Sequence, residues 1–386
     1  MDFKLTAEQE KLERDARYYL ENKMPAGLME ELEAEHFEGG GPIYKQALKQ
    51  LGSDKWLGLG WPKEYGGQNR SPIEQYIFFG LAGGYYRIPI PMLTINAVGP
   101  VIMRYGTPEQ KKYFLPKILN GDLIIAVGYT EPEAGSDLAS LQTKAVKDGD
   151  YYVINGEKKY TTMGQFCDYI WLAVRTDPQA PKHKGISMFL VDSKTPGINI
   201  KILETMSPLK TTNTFYENVR VPKTALVGEE NKGWIYINHQ LGGERVGLSP
   251  HYAPLRYLND ITKWVAEHGL SNKAVIRNRL AERAVETEII RLLNFRAAWM
   301  LAQGKTPHIE SAMTKVFACE QAVRFLGDCL DIMGPYGLLQ TGSKWVPFRG
   351  RLEYMLRISV VNLFGGGAND ILRDIVAMGK GLPVSR

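Results

Sequence analysis

The run "DYYVINGEKKYTT", residues 150–162, alternates aromatic and β-branched residues with polar ones around an Asn-Gly pair, a strand-and-turn pattern in a chain whose two ends read as helix. Its neighbours repeat the texture. "DYIWLAVRTD" (168–177), "GISMFLVDSKTPGINIKIL" (185–203) and "TFYENVRVP" (214–222) are short apolar runs punctuated by DP and PG turns. Residues 121–230 therefore read as a small antiparallel β domain.

Outward from this block the period changes from two to 3.6. On the amino-terminal side, "LTAEQEKLERDARYYLENKMP" (5–25) sets Thr6 and Gln9 in a capping-box relation, puts Leu12, Ala16, Tyr19 and Leu20 on one face, and stops at Pro25. Further helices are predicted over 42–52, 71–84 and 108–120, the last opened by Thr107, Pro108 and Gln110. Residues 1–120 read as a helical domain. On the other side, "SNKAVIRNRLAERAVETEIIRLLNFRAAWMLAQG" (271–304) and "IESAMTKVFACEQAVRFLGDCLDIMG" (309–334) carry continuous apolar stripes, which predicts a four-helix bundle within 231–386.

Composition narrows the functional classes. The 386 residues are 44% hydrophobic and 23% charged, ordinary globular material with a net charge of +5. The basic residues are scattered, so neither nucleic acid nor an anionic membrane is an expected partner. The amino terminus is charged from the start, and no apolar run approaches the roughly 20 residues of a membrane span, which predicts a cytoplasmic location. Cys167, Cys319 and Cys329 have no CxxC spacing and are expected to be buried reduced thiols, with no metal site.

Two segments carry candidate chemistry. In "YTEPEAGSDLASL" (129–141), Thr130 and Ser136 flank a Pro and a Gly in a loop whose hydroxyls and backbone N–H groups suit a polar heterocycle and a phosphate, although alone such a loop is no more than a turn. "LFGGGANDILRD" (363–374) places three glycines before a helix, which either lets the backbone approach a phosphate-bearing ligand or makes a tight corner.

These segments occur in one order with "NGEKKYTTMG" (155–164), "DPQAPKHKGISMFLVDSKTPGI" (177–198) and "NVRVPKTALVGEENKGW" (218–234). Together they resemble the acyl-CoA dehydrogenase family over essentially the whole chain, including its helical, β, helical order. The resemblance implies an FAD flavoprotein that oxidises an acyl-CoA thioester to its trans-2-enoyl-CoA. In that family a carboxylate removes the α-proton, a hydride leaves the β-carbon for flavin N5, and electrons usually pass to an electron-transfer flavoprotein. Matching motifs implies that Tyr129 and Thr130 lie against the flavin pyrimidine, with Gly135 and Ser136 near the FAD pyrophosphate and the CoA arm. Tyr160, Thr161 and Thr162 would form the flavin-facing turn, Tyr160 covering one face and Thr162 close to N5. The other reading of Tyr160 is a strand aromatic in the β core. Gly366, Gly367 and Asn369 would form the terminal turn beside FAD, Gly366 offering its N–H to the thioester.

The commonest members read Tyr-Glu-Gly-Thr at that turn, and the Glu is the base. Here Gly366 takes its position. Abstracting an α-proton needs a positioned base, donors to the thioester oxygen and a dry site. "HQLGGERVGLSP" (239–250) supplies a candidate in Glu244, which stands where the isovaleryl-CoA and mammalian long-chain enzymes carry their catalytic Glu. Outside the resemblance, a Glu beside an Arg reads as a surface ion pair. Arg245 is expected to be structural or to face CoA.

Two motifs that normally reach the neighbouring subunit's FAD are altered. Arg-x-x-Phe-Gly is replaced by "KWVAEHGLSNKAV" (263–275), and the Gln-x-x-Gly-Gly-x-Gly motif becomes "DIMGPYG" (331–337) with Asp331 in the Gln position. This combination resembles the glutamate-bearing α subunits of heterotetrameric acyl-CoA dehydrogenases of bacterial steroid side-chain degradation. It predicts a homologous β subunit (α2β2) that completes the FAD site, with a homotetramer as the alternative. Pro250 and Pro254 either kink a helix and widen the acyl pocket or end it. A silent flavin-holding subunit is the competing class, disfavoured by Glu244. Acyl-CoA oxidases and flavin monooxygenases share the fold, and the length, without an extra carboxy-terminal domain, favours a dehydrogenase.

Overall fold

The computed structural model describes residues 3–207, 209–244 and 251–383, apart from the side chains of 242–244. Glu244 therefore enters by its place on a helix only, and Arg245 and Pro250 lie outside the described residues.

Six helices open the chain: α1 (Ala7–Asn22), α2 (Leu28–Ala34), α3 (Pro42–Ser53), α4 (Pro72–Phe79), α5 (Gly99–Tyr105) and α6 (Pro108–Leu119). The capping boxes expected at Thr6/Gln9 and Thr107/Gln110 are both formed, and Ser71/Glu74 adds a third at α4. The helix predicted over 71–84 ends as α4 at Phe79 and continues as a wider π-helical turn over Gly80–Tyr85. A second π-helical turn, Leu93–Val98, leads into α5.

The middle of the chain forms one eight-stranded sheet: β1 (Ile125–Gly128), β2 (Lys144–Asp148), β3 (Tyr151–Lys158), β4 (Tyr169–Arg175), β5 (Ile186–Asp192), β6 (Ile198–Glu204), β7 (Lys210–Pro222) and β8 (Leu226–Val227). The order is β6-β7-β3-β2-β4-β5-β8, with β1 beside β4. The sheet is antiparallel except where β4 meets β1 and the start of β2. Parallel pairing needs a long crossover, and residues 129–168 supply it.

Six helices follow: α7 (Gly233–Glu244), α8 (Tyr252–Glu267), α9 (Ala274–Ala302), α10 (His308–Met333), α11 (Arg351–Ser359) and α12 (Asn369–Gly379). Pro254 is the third residue of α8, where a missing N–H costs nothing, so it opens that helix without kinking it.

Packing divides into two cores. One runs from the amino-terminal helices into the sheet and buries Phe78, Trp171, Phe189 and Tyr216; the other lies within the carboxy-terminal helices around Tyr257, Ile261, Phe325 and Leu326. All three cysteines are buried free thiols. Among the described residues no helix is long and apolar enough to cross a membrane, and no cluster of His, Cys, Asp or Glu could hold a metal.

Candidate active site

The loop after β1 and the turn after β3 are held together from inside. Strand phase turns Lys158 inward with Tyr152 and Ile154, and its side chain is wholly buried. Its Nζ donates to Glu131 Oε1 at 2.7 Å and to the Tyr129 carbonyl at 3.0 Å. Glu131 also accepts from the backbone N–H of Gln142 (2.6 Å) and Thr143 (2.9 Å). Burial alone would raise the Glu131 carboxyl, but the Lys158 ammonium and these donors hold it below the usual range. Burial pulls Lys158 down to about 8, so the ammonium persists at neutral pH. A buried ion pair is stable only with further hydrogen bonds to its partners, and here the Tyr129 carbonyl and two backbone N–H groups supply them.

On this support sit the residues singled out in the sequence. Tyr129 is half-buried; its hydroxyl accepts from Trp171 Nε1 (2.9 Å) and donates to Gln240 Oε1 (2.7 Å) on α7. The Thr130 carbonyl accepts from Lys159 N–H at 2.7 Å. Gly135 and Ser136 are exposed at the loop tip, and a side chain at 135 would meet nothing within 4 Å. Tyr160 adopts φ 59° and is 59% exposed, so it is a rim residue and not part of the β core. Thr162 is also exposed. Thr161 is turned inward: its N–H donates to the Thr212 carbonyl (2.8 Å), its carbonyl accepts from Thr212 Oγ1 (2.7 Å), and its hydroxyl meets Thr214. Thr161 anchors the turn while Tyr160 and Thr162 face outward.

Helix α7 crosses this rim. Gln240, which is fully buried, meets Tyr129, and position 244 lies one helical turn further on the same face. A cavity of about 520 Å³ lies against α4, the second π-helical turn and α5, with walls that include Trp61, Tyr76, Phe79, Met92, Met103 and Arg104. Tyr76 also bonds His251 (Oη to Nδ1, 2.6 Å), and Tyr105, next to Arg104, packs edge-on against His239 at 5.7 Å. The cavity wall thus meets His251 through Tyr76 and neighbours His239 through Arg104. Burial drives His251 down to about 3 and, with Arg104, holds His239 low, so both rings are neutral.

The glycine turn is fixed from α10. Gly366 and Gly367 have φ of 67° and 102°, left-handed values that side chains rarely adopt. Lys315 Nζ donates to the Gly367 carbonyl (2.7 Å) and to Asn369 Oδ1 (2.9 Å), while Asn369 Nδ2 donates to Glu320 (3.1 Å). Asn369 is therefore buried and occupied in shaping the turn. The loop after β1, the turn after β3 and α7 form one bonded group; the hydrogen bonds of the glycine turn described here run to α10. Glu131, Lys158, Gln240 and Lys315 were not singled out in the sequence, and each acts by holding a residue that was.

Comparison with known proteins fits this arrangement. Residues 6–122, 126–219 and 231–381 match the acyl-CoA dehydrogenase N-terminal, middle and C-terminal domains. The chain is 41% identical to "Acyl-CoA dehydrogenase FadE26" and 40% identical to "Acyl-CoA dehydrogenase FadE29", both of Mycobacterium tuberculosis, over 99% of this chain and 99% and 98% of theirs. Among solved structures it superimposes on "Tcur3481-Tcur3483 steroid ACAD" with TM-score 0.95 and 41% identity, both chains fully covered. The ChsE4-ChsE5 complex from Mycobacterium tuberculosis gives TM-score 0.92 and 39% identity, again with full coverage. The chain belongs to the acyl-CoA dehydrogenase family and is an oxidoreductase acting on acyl-CoA.

Proposed function

We propose that this chain is the base-bearing subunit of an FAD-dependent acyl-CoA dehydrogenase that forms a trans-2-enoyl-CoA, with Glu244 as the α-proton base. The observation that carries the reading is the geometry of α7. Its Gln240 bonds Tyr129 on the β rim, and position 244 follows one turn later on that face, while the usual base position is occupied by Gly366.

The residues present fit FAD. The rim offers an exposed aromatic at Tyr160, hydroxyls at Thr130 and Thr162, and an uncrowded Gly135–Ser136 loop; the left-handed Gly366 and Gly367 let backbone come close. Tyr129, Thr130, Tyr160 and Thr162 would hold the isoalloxazine ring system, Gly135 and Ser136 the pyrophosphate and the CoA arm, and Gly366, Gly367 and Asn369 the terminal turn. Thr161 would act from within by fixing the turn. When bound, FAD supplies a hydride acceptor at N5. Glu244 would take the α-proton onto its carboxylate and the Gly366 N–H would donate to the thioester oxygen, while the resemblance gives Arg245 a structural or CoA-side role.

The cavity supports a bulky acyl group, since about 520 Å³ lies within the range of pockets that enclose drug-sized ligands. Relatives described as a steroid ACAD and as a ChsE4-ChsE5 complex support a ring-bearing substrate and a homologous β partner in an α2β2 assembly. Asp331, where the resemblance expects a Gln facing a neighbour's FAD, instead pairs with Arg279 at 3.2 Å on the surface. That pair disfavours an anionic pyrophosphate and supports the heteromer over a homotetramer. An electron-transfer flavoprotein is the proposed acceptor and the cytoplasm the proposed location.

The test is anaerobic mixing of the flavin-loaded enzyme with a bulky acyl-CoA, followed by flavin absorbance. Wild type bleaches, and Glu244→Gln with flavin still bound bleaches about 10²–10⁴ times more slowly, the range for loss of a general base. Bleaching of the variant at the wild-type rate would remove Glu244 from the mechanism.

A further inference from the structure

Left-handed backbone concentrates at one place outside the active site. Of the eleven non-glycine described residues with positive φ, five line a single cavity of about 100 Å³: His36 (52°), Phe37 (59°), Arg87 (60°), Phe348 (51°) and Arg349 (57°). Such conformations persist only where the surroundings hold them, and they gather at ligand clamps and switches. The cavity lies between α2, the turn after the first π-helical segment, and the start of α11.

Its charge is unbalanced. Arg87, Arg349 and Arg351 form the wall with one carboxylate, Glu33, which Arg349 engages at 2.9 Å. Behind the wall Arg351 and Arg256 share Asp260. Among the lining residues three guanidinium groups thus face one carboxylate, an excess of two positive charges. Arg87 stacks its guanidinium 3.4 Å from the Phe37 ring centroid. Arg351 Nε is shut off from solvent and has no hydrogen-bond acceptor among the described residues. Burial and the charges of Arg256 and Arg87 pull Arg351 down to about 10, which still leaves it protonated at neutral pH.

We propose that this cavity is a binding site for a phosphate group, held by Arg87, Arg349 and Arg351. A phosphate monoester carries about −1.5 to −2 charges at neutral pH, which matches the excess, and guanidinium forks fit its oxygens. The volume corresponds to roughly three waters' share of the liquid, room for one tetrahedral oxyanion and too little for a whole nucleotide. The site is independent of the catalytic reading above, because none of its residues belongs to the flavin or acyl-CoA loops.

The experiment is calorimetric titration of the full-length, flavin-loaded protein, saturated with CoA, using inorganic phosphate and then AMP as probes. Wild type is expected to bind phosphate saturably at one site per chain. The exposed Arg349→Gln should weaken binding at least tenfold with flavin content unchanged, and Arg351→Gln should abolish it. Tighter binding of AMP than of phosphate would identify an ester as the ligand; equal or weaker binding would identify the free ion. Absence of saturable binding to wild type, or binding equally strong in both variants, would overturn the proposal.

Discussion

The rim of the β sheet and the outer face of the carboxy-terminal helices carry the two sides of the proposed active site, and they are built differently. At the rim, the loops bearing Tyr129, Thr130 and Tyr160 converge on the Lys158–Glu131 pair, whose charges are buried and whose hydrogen bonds are satisfied. On the helical side, Phe364 stands exposed beside the glycine turn, while Leu338 and Trp345 are exposed beyond the far end of α10, where Asp331 sits in a surface ion pair with Arg279. The rim is held by bonds within this chain, whereas the helical side carries exposed apolar residues and a surface ion pair and is where the proposed second chain would act.

The largest effect is expected at the rim. Lys158→Met leaves Glu131 as a buried charge without its partner, which costs about 3–5 kcal/mol. It should also release the Tyr129 loop, so denaturant midpoint and flavin retention fall together. If flavin retention is unchanged in a stably folded variant, the rim does not depend on this pair.

An acid titration tests the packing of α8 on α4, where His251 meets Tyr76. His251 has an ordinary value of 6.5 and a folded value of about 3, so between these the unfolded chain binds a proton that the folded chain refuses. Stability therefore falls as pH drops through that window, by up to about 1.4 kcal/mol per pH unit for one group. His251→Gln should flatten the dependence, measured as urea midpoints at about pH 7 and about pH 5. An unchanged slope would assign the acid sensitivity elsewhere.

Smaller effects belong to the helical side. Asn369→Ala removes an acceptor from buried Lys315 and a donor to Glu320, a loss of about 1–3 kcal/mol. Its thermal midpoint should drop, and an unchanged midpoint would show that these bonds do not hold the turn. Asp331→Gln breaks only an exposed pair, worth about 0.2–1 kcal/mol. A larger change in its denaturant midpoint would show that this face is not a simple surface.

The order of helix, sheet and helix was legible because it rests on periodicity and on local capping, as at Thr6 and Thr107. The parallel pairing of β1 with β4 was not, since no local pattern records a partner some forty residues away. Lys158 illustrates the limit within the site. In "GEKKY" two adjacent lysines look like a solvated turn, and only the strand phase shared with Tyr152 and Ile154 turns the first one inward. Gln240 could have been found as the residue one turn before Glu244, but its bond to Tyr129 depends on how α7 docks on the sheet. The outward Tyr160 and inward Thr161 likewise follow from one left-handed residue, a property of the turn and not of its composition.

The most direct measurement is the amount of FAD per chain when this protein is purified alone and when it is produced with a homologous β subunit. A colourless or flavin-poor protein alone and stoichiometric FAD in the complex are expected if, as proposed, a second chain completes the FAD site. A stable assembly of this chain alone with one FAD per chain would contradict it.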